Sequence, residues 1–431
     1  MRIAAALTAA LLLAACSGDR SSPPPAEAPR SVVGVVWGED DASFVARLDA
    51  RSLEPLPGPR APLGHAGGSW ALSPDGSQVV FAGYRAIRVI ELDRMRVLAD
   101  IPGRGDFGAV AWPEPRRVLL ATGFNWEIGV DAVAVDPVAR RVLFRRSLGG
   151  SLLRFVRTER GLLLLLGPRS EGIGAARLAV FSADGSIRVL HLDHVRAGFE
   201  HEELEGGFTV DHYRTPALAV DESRETAFVV TAQDVVAEVD LRTLGITYHE
   251  LREKTSLLGR LRNWVEPPAE AKGASDGSVR SAVWLGNGLL AVAGFDDHAS
   301  FDHEGNQTQR TTPAGVALVD TRTWSKRTLE PAGTAAALAG GLLFAYGSRW
   351  NSETGVSEGA GLSAFDRAGE RLFRLFGDEP VWDVQAAGPF AYVSFDGSCD
   401  GRIVDLRAGE VLGGREPEDL CNRSLLVSPD G

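Results

Sequence analysis

The most constraining feature of the sequence is a unit of four short apolar runs that recurs along the chain. In its clearest copy, residues 69–101, the runs are rich in Val, Ile, Phe and Trp, which suit a pleated, half-buried surface. A Ser73-Pro74-Asp75-Gly76 turn separates the first two runs, since Pro presets φ and Gly accepts a positive φ. No run is long enough for a typical globular helix, so the unit predicts four antiparallel strands.

In most copies, the third predicted strand ends in an apolar residue followed by Asp. The copies are Leu48-Asp49, Leu92-Asp93, Val135-Asp136, Val239-Asp240, Val319-Asp320, Phe365-Asp366 and Val404-Asp405, with Phe181-Ser182 as a degenerate one. Most intervals are about 40–50 residues, the period of propeller blades. We therefore predict an all-β chain with one propeller of eight four-stranded blades, or seven if one copy is misread. The predicted blades are 32–57 with the C-terminal strand, 68–103, 107–149, 151–193, 215–251, 279–330, 334–377 and 381–413.

The predicted N-terminal blade lacks a first strand, and the far end of the sequence supplies a match. Arg423–Gly431 (RSLLVSPDG) resembles Gly68–Gly76 (GSWALSPDG). We expect this C-terminal strand to complete the N-terminal blade and close the ring, which leaves few strand edges exposed.

These repeats also carry a family resemblance. The SPDG turn and the apolar–Asp closure resemble the YVTN-type and WD-like propeller repeats of bacterial cell-envelope lipoproteins, over about residues 32–431. The resemblance implies a fold rather than a chemistry. The tryptophan-docking motif of pyrroloquinoline-quinone enzymes and the Asp-box of sialidases are both absent from the sequence.

The N-terminus predicts the compartment. Met1-Arg2 is a basic start, Ile3–Ala15 is an apolar segment too short to span as a stable helix, and Leu13-Ala14-Ala15-Cys16 fits a bacterial lipobox. We predict a signal peptide at 1–15, lipidation of Cys16, and a disordered tether over 16–31. An ordinary secretory signal is the alternative. The chain would then lie outside the cytoplasm on the cell envelope, with the choice of membrane open.

The two cysteines beyond Cys16 are disulfide candidates. Cys399 and Cys421 form an even pair in a chain predicted to be exported, and the blade assignment puts both on one face of the propeller. Two free thiols are the alternative.

The net charge of −12 argues against non-specific binding to nucleic acid. We expect an envelope protein or a small ligand as partner, a lipid-anchored attachment to the membrane, and a monomer.

Three predicted insertions, at about 194–214, 252–277 and 296–314, lie on the same face as the long loops between second and third strands. The second insertion predicts a helix with an apolar stripe at Leu257, Leu258, Leu261, Trp264 and Val265.

We define the long-loop face as the one that carries these insertions and loops. It is acidic in sequence, and we expect it to be the face that binds a partner or ligand. The candidate binding residues are Trp126, Asp296, His298, Asp302, Arg349 and Trp350.

The densest polar cluster, Asp296–Asn306, is expected to form a polar surface loop, although its carboxylates suit Ca²⁺ and its histidines suit a transition metal. EF-hand spacing, HExxH, G-x-S-x-G and a Walker loop are all missing from the sequence. We therefore predict neither a resident metal nor a catalytic residue. If Ca²⁺ binds, the candidates are Asp296, Asp302 and His303. The expected function is a binding module rather than an enzyme; the alternative is a Ca²⁺-dependent propeller hydrolase or lactonase.

Overall fold

The regular structure of the chain consists of β-strands. The computed structural model describes residues 31–38, 42–64, 68–83, 86–123, 128–203, 209–253, 277–301, 307–351, 356–396, 401–412 and 423–426, and every regular element in these ranges is a strand. The described residues contain no helix long and apolar enough to cross a bilayer. The all-β prediction is confirmed.

Six sheets of the described chain have four strands each and stand separately. They are β3–β2–β1–β37 (Ala61–Pro62, Phe44–Asp49, Ser31–Val36, Arg423–Leu425), β4–β5–β6–β7 (Ser69–Leu72, Gln78–Ala82, Ala86–Glu91, Arg96–Pro102), β8–β9–β10–β11 (Phe107–Glu114, Arg117–Thr122, Asp131–Asp136, Arg141–Ser147), β17–β18–β19–β20 (Ala217–Asp221, Thr226–Val230, Val235–Asp240, Ile246–Glu250), β27–β28–β31–β32 (Ala335–Ala339, Leu342–Tyr346, Leu362–Phe365, Arg371–Leu375) and β33–β34–β35–β36 (Val381–Ala387, Phe390–Phe395, Gly401–Asp405, Glu410–Val411).

The remaining described strands form one thirteen-stranded sheet. Its members are β12 (Leu152–Thr158), β13 (Gly161–Leu166), β14 (Gly172–Ser182), β15 (Ile187–Glu203), β16 (Thr209–Thr215), β21 (Arg252–Glu253), β22 (Gly277–Gly286), β23 (Leu289–Phe301), β24 (Gln307–Pro313), β25 (Val316–Asp320), β26 (Ser325–Glu330), β29 (Ser348–Asn351) and β30 (Val356–Gly359). Within it, β12–β13–β14–β15 and β22–β23–β25–β26 pair in succession, like the separate sheets.

The first strands of the successive units contact one another around the molecule. The contacts run from β4 to β8, β12, β17, β22, β27, β33 and β37 in that order. Apolar clusters fill the space between neighbouring units; one joins Val80 and Val89 to Val110 and Val133, and another joins Leu163 and Leu165 to Val229. The β-propeller prediction is confirmed by this arrangement.

The predicted ring closure is also confirmed. Strand β37 pairs antiparallel with β1, with Leu425 opposite Gly34 and Arg423 opposite Val36. Strand β37 thus occupies the first-strand position of the N-terminal sheet, for which residues 32–57 supply no strand. The Leu425 side chain is 3% exposed and packs with Ala387 and Tyr392 of the preceding sheet.

The recurrent Asp at the end of the third strand has a structural explanation. Carboxylates at these positions accept backbone N–H groups of the turn that follows, at Asp49, Asp136, Asp240, Asp320, Asp366 and Asp405. The N–H of Ala139 and the guanidinium of Arg116 lower the pKa of Asp136, because both stabilise its charged form. The repeat signature therefore encodes turns, as side-chain capping of this kind does elsewhere.

The predicted number of eight blades, or seven, is not confirmed by the sheet division of the described residues, because six four-stranded sheets stand separately. The other described strands belong to one larger sheet, because β14, β15 and β23 continue past the ring and pair with additional strands. The predicted helix over 252–277 lies outside the described residues apart from its ends: Arg252–Glu253 is β21, paired parallel with β26, and Gly277 begins β22.

Candidate binding face

Strands that continue beyond the ring form a raised sheet on the long-loop face. We call this part of the thirteen-stranded sheet the extension sheet: 172–175 of β14, 196–203 of β15, all of β16, 277–279 of β22, 295–301 of β23, and all of β24, β29 and β30. The predicted insertions at 194–214 and 296–314 are therefore antiparallel hairpins rather than irregular loops. The sheet links units that begin at β12, β22 and β27.

A buried carboxylate holds three strands of the extension sheet together. Asp297 of β23 is 7% exposed and accepts hydrogen bonds from the hydroxyls of Tyr213 in β16 and Thr311 in β24. Desolvation by burial, together with the bond to Asp297, raises the pKa of Tyr213, so its hydroxyl stays protonated and donates. A satisfied buried polar group of this kind fixes the relative positions of the strands that supply it.

The neighbouring candidate, Asp296, lies on the opposite side of β23 because side chains alternate along a strand. Its carboxylate accepts a hydrogen bond of 3.0 Å from Nη2 of Arg280. The same guanidinium donates from Nη1 to the carbonyl oxygens of Val279 and Phe295, at 2.9 and 2.8 Å. Asp296 therefore neutralises a nearly buried cation.

The expectation of a polar loop at 296–306 is wrong for its first six residues, which form the end of β23. The reason is the pairing of β23 with β24, in which Asp296 lies opposite Thr312 and His298 opposite Arg310. Asp302 and His303 lie outside the described residues. Among the described ones, no group of three or more His, Cys, Asp or Glu side chains is placed to hold a metal. Calcium binding stays an untested prediction.

The tip of the β15–β16 hairpin carries two histidine–carboxylate pairs. His201 contacts Asp211 directly across the two strands, and Nε2 of His212 lies 2.9 Å from a carboxylate oxygen of Glu202. Polar side chains that contact one another across facing strands stabilise a hairpin by a modest amount. These contacts order the outermost part of the extension sheet.

The remaining candidates are distributed as follows. Arg349 of β29 donates to Glu358 of β30, at 2.9 Å from Nε, so this pair bridges the last hairpin of the extension sheet. The backbone of Trp350 lies in the same strand. Trp126, Cys16, Cys399 and Cys421 lie outside the described residues, so the lipidation and disulfide predictions stay predictions. The structure thus brings Asp296, His298 and Arg349 onto one face, in the two strands β23 and β29 that flank β24.

Sequence reasoning missed Trp382. This residue lies near the start of β33, the first strand of its sheet. First strands begin at the long-loop face, so Trp382 lies close to that face. The pairing of β33 with β34 shifts register between Val381 and Asp383, and the Trp382 side chain is 64% exposed. The signal available in sequence was a large aromatic residue two positions after Pro380, where a blade begins.

Comparisons with known proteins support the fold. No protein-family model and no curated protein matches the chain. The dihydro-heme d1 dehydrogenase NirN in complex with DHE aligns with a TM-score of 0.54 at 14% identity, over 93% of this chain and 76% of that one. BamB from Moraxella catarrhalis aligns at 0.43 and 12%, over 81% and 88%. The β-propeller domain of Cps50 (Swd1) from Myceliophteria thermophila aligns at 0.39 and 11%, over 81% and 95%. The first of these likenesses shows the fold alone: this chain is a β-propeller.

Proposed function

We propose that this protein is a lipid-anchored binding module of the cell envelope, outside the cytoplasm, and that it recognises a protein or a small ligand through its long-loop face. The observation that carries the proposal is the extension sheet. Propellers commonly serve as platforms for interactions, but fold alone does not fix function. Additional strands on one face, held there by buried polar contacts, are not needed to form the ring itself.

The extension sheet suits recognition because its elements are ordered before a partner arrives. Binding residues on strands are positioned more precisely than residues on free loops, and ordering them in advance lowers the entropy cost of association. Asp297 with Tyr213 and Thr311, and Arg349 with Glu358, provide that order. The chain's net charge of −12 favours a partner with a basic contact patch.

Among the side chains that the structure describes on this face, Trp382 is the one most suited to anchor a partner. Tryptophan is enriched among residues that dominate binding energy, since one side chain buries a large area at low entropy cost. We expect Trp382→Ala to weaken partner binding by about 2 kcal/mol, roughly 30-fold. The fold should be unaffected because the side chain is 64% exposed.

The test uses the purified full-length chain, immobilised and exposed to a detergent extract of the envelope. Leu372→Ala is the matched control, because Leu372 is 53% exposed but lies on β32, an outer strand away from the face. The expected result is a discrete partner retained by the wild type and by Leu372→Ala but not by Trp382→Ala. Equal retention by all three would contradict the proposed role of this face.

The lipid anchor has its own test. We expect Cys16→Ser to remove the lipid mass and to move the chain from the membrane pellet to the soluble fraction, because acyl chains supply the membrane affinity. Ser17→Ala, at the adjacent position, should stay lipidated and membrane-bound. Intact mass and fractionation measure both outcomes. A Cys16→Ser chain that keeps its lipid mass would contradict lipidation at Cys16.

We also propose that the ring has eight blades. Each of the two successive groups in the thirteen-stranded sheet, β12–β13–β14–β15 and β22–β23–β25–β26, has the strand order of a blade. Apolar clusters support the count: among the described residues each cluster joins a pair of successive four-strand groups, including the pair across the ring closure. An experimental density map of the chain that resolved fewer than eight such groups would refute it.

A further inference from the structure

Two arginines of strand β12 extend into the space enclosed by the first strands, which we call the central channel. Nε of Arg157 donates to the carbonyl oxygen of Val110 in β8 at 2.8 Å, and its Nη2 donates to that of Trp70 in β4. Nη2 of Arg154 donates to the carbonyl oxygen of Arg280 in β22 at 3.2 Å. Each guanidinium therefore reaches a strand that is not the immediate neighbour of β12.

The geometry follows from the position of β12. A first strand has a partner on one side only, so the backbone groups of its other edge face the channel. Arg154 and Arg157 are three positions apart, so they leave the strand on opposite sides, and both turn inward to reach edge carbonyls. The guanidinium of Arg157 also lies over the Trp70 ring, 5.3 Å from its centroid. The aromatic face and the carbonyls hold this side chain in place.

In the part of the chain that the structure describes, no carboxylate pairs with Arg154 or Arg157. Desolvation lowers the pKa of Arg157 to about 10 and also lowers that of Arg154. Both side chains are nevertheless partly accessible. Groups that are surrounded by protein yet reachable by solvent are typical of a channel wall.

Other charges on the described first strands offset these two only in part. Arg280 is paired with Asp296. Asp383 of β33 accepts a hydrogen bond from Nε2 of Gln385 at 3.1 Å, but this amide is neutral and does not cancel a carboxylate charge. Arg423 of β37 adds a further cation to the first strands. Glu114 and Asp221 are the last residues of β8 and β17, at the ends away from the long-loop face. Away from the strand ends, the described first strands thus carry the two guanidinium groups of Arg154 and Arg157 against the one carboxylate of Asp383.

We propose that the central channel binds a small anion carrying a carboxylate or phosphate group, held by Arg154 and Arg157. A guanidinium has five N–H donors, and the contacts with described residues use two on each arginine, so donors remain for a ligand. Its planar fork matches the oxygens of carboxylates and phosphates. This site is separate from the extension sheet and does not depend on the partner proposed for the long-loop face.

The test is calorimetric titration of the purified full-length chain at low chloride with inorganic phosphate, succinate and citrate in separate arms. We expect saturable binding in at least one arm. Arg154→Gln and Arg157→Gln should each weaken it about 10- to 100-fold, the loss expected when a charge-assisted hydrogen bond is removed. Heat from phosphate alone, or from the carboxylates alone, identifies the ligand class.

Arg188→Gln is the matched control. The Arg188 guanidinium donates to two backbone carbonyls, those of Leu241 and Arg242, but it is exposed on β15 outside the channel. Affinity should be unchanged in this variant.

If the Gln variants do not fold, Arg154→Lys and Arg157→Lys keep the charge but lose the fork, and they should still show weaker binding. The proposal is overturned if none of the three anions binds the wild type. It is equally overturned if binding is insensitive to substitution of both Arg154 and Arg157, or if Arg188→Gln abolishes it.

Discussion

Deleting residues 423–431 should lower the free energy of unfolding by about 5 kcal/mol and make the chain prone to aggregation. The deletion removes β37, and with it the buried Leu425 and Leu426, each worth about 1.5–3 kcal/mol of apolar burial. Hydrogen bonds from Leu425 N to Oε1 of Gln385 and from Leu426 N to the carbonyl oxygen of Val33 are also lost, at 2.8 and 2.9 Å. The freed edge of β1 becomes a site for pairing with another chain.

Urea unfolding and gel filtration measure this effect. Ser424→Ala is the control, since it removes only the 2.9 Å hydrogen bond from Nε1 of Trp37 to Oγ of Ser424 and should cost about 1 kcal/mol. A synthetic peptide of residues 418–431 should restore part of the stability of the deleted chain. Equal urea midpoints and equal elution volumes for the deleted and intact chains would show that β37 does not close the ring.

Replacing Arg177 should produce the second large loss. Its side chain is 2% exposed and donates to the carbonyl oxygens of Leu148, Gly149 and Gly167, over 2.8–3.1 Å. Burial lowers the pKa of this guanidinium because it removes the charged form from water. The hydrogen bonds to these carbonyl groups offset that cost. Arg177→Met leaves three carbonyl groups without their donor, and we expect a loss of about 3–5 kcal/mol.

Thermal and urea unfolding of Arg177→Met test this prediction. Arg169→Met is the matched control, because Arg169 lies exposed in the adjoining loop and its substitution should change stability by less than about 0.5 kcal/mol. The stability of Arg177→Lys should lie between those of the wild type and Arg177→Met, since lysine keeps the charge but lacks the forked donors of a guanidinium. A wild-type unfolding curve for Arg177→Met would mean that these loops are held by other contacts.

Most of the ring could be predicted because its signals are local. The four strands expected within 69–101 appear as β4 to β7 with ends shifted by about one residue. The Asp at the end of the third strand was a reliable marker because its carboxylate caps the turn that follows, a short-range contact that each repeat makes for itself.

The extension sheet was not predictable in the same way, since the pairings that join its hairpins to one another link residues far apart in sequence. Arg214 lies opposite Ser278, and Arg310 lies opposite Asn351, so no local pattern marks them. A polar stretch such as 296–301 has the composition of a loop, but tertiary pairing makes it a strand. Arg154 and Arg157 were overlooked for the same reason: only ring geometry shows that they share a channel.

The most direct test of the working face is photo-crosslinking in intact cells. A photoreactive amino acid is placed at the exposed positions Glu200 and Thr312 of the extension sheet, and at the exposed positions Val138 and Glu159 in turns of the opposite face. We expect discrete adducts of one mass from Glu200 and Thr312 and none from Val138 or Glu159. Adducts confined to Val138 and Glu159 would place recognition on the opposite face and contradict the proposed function.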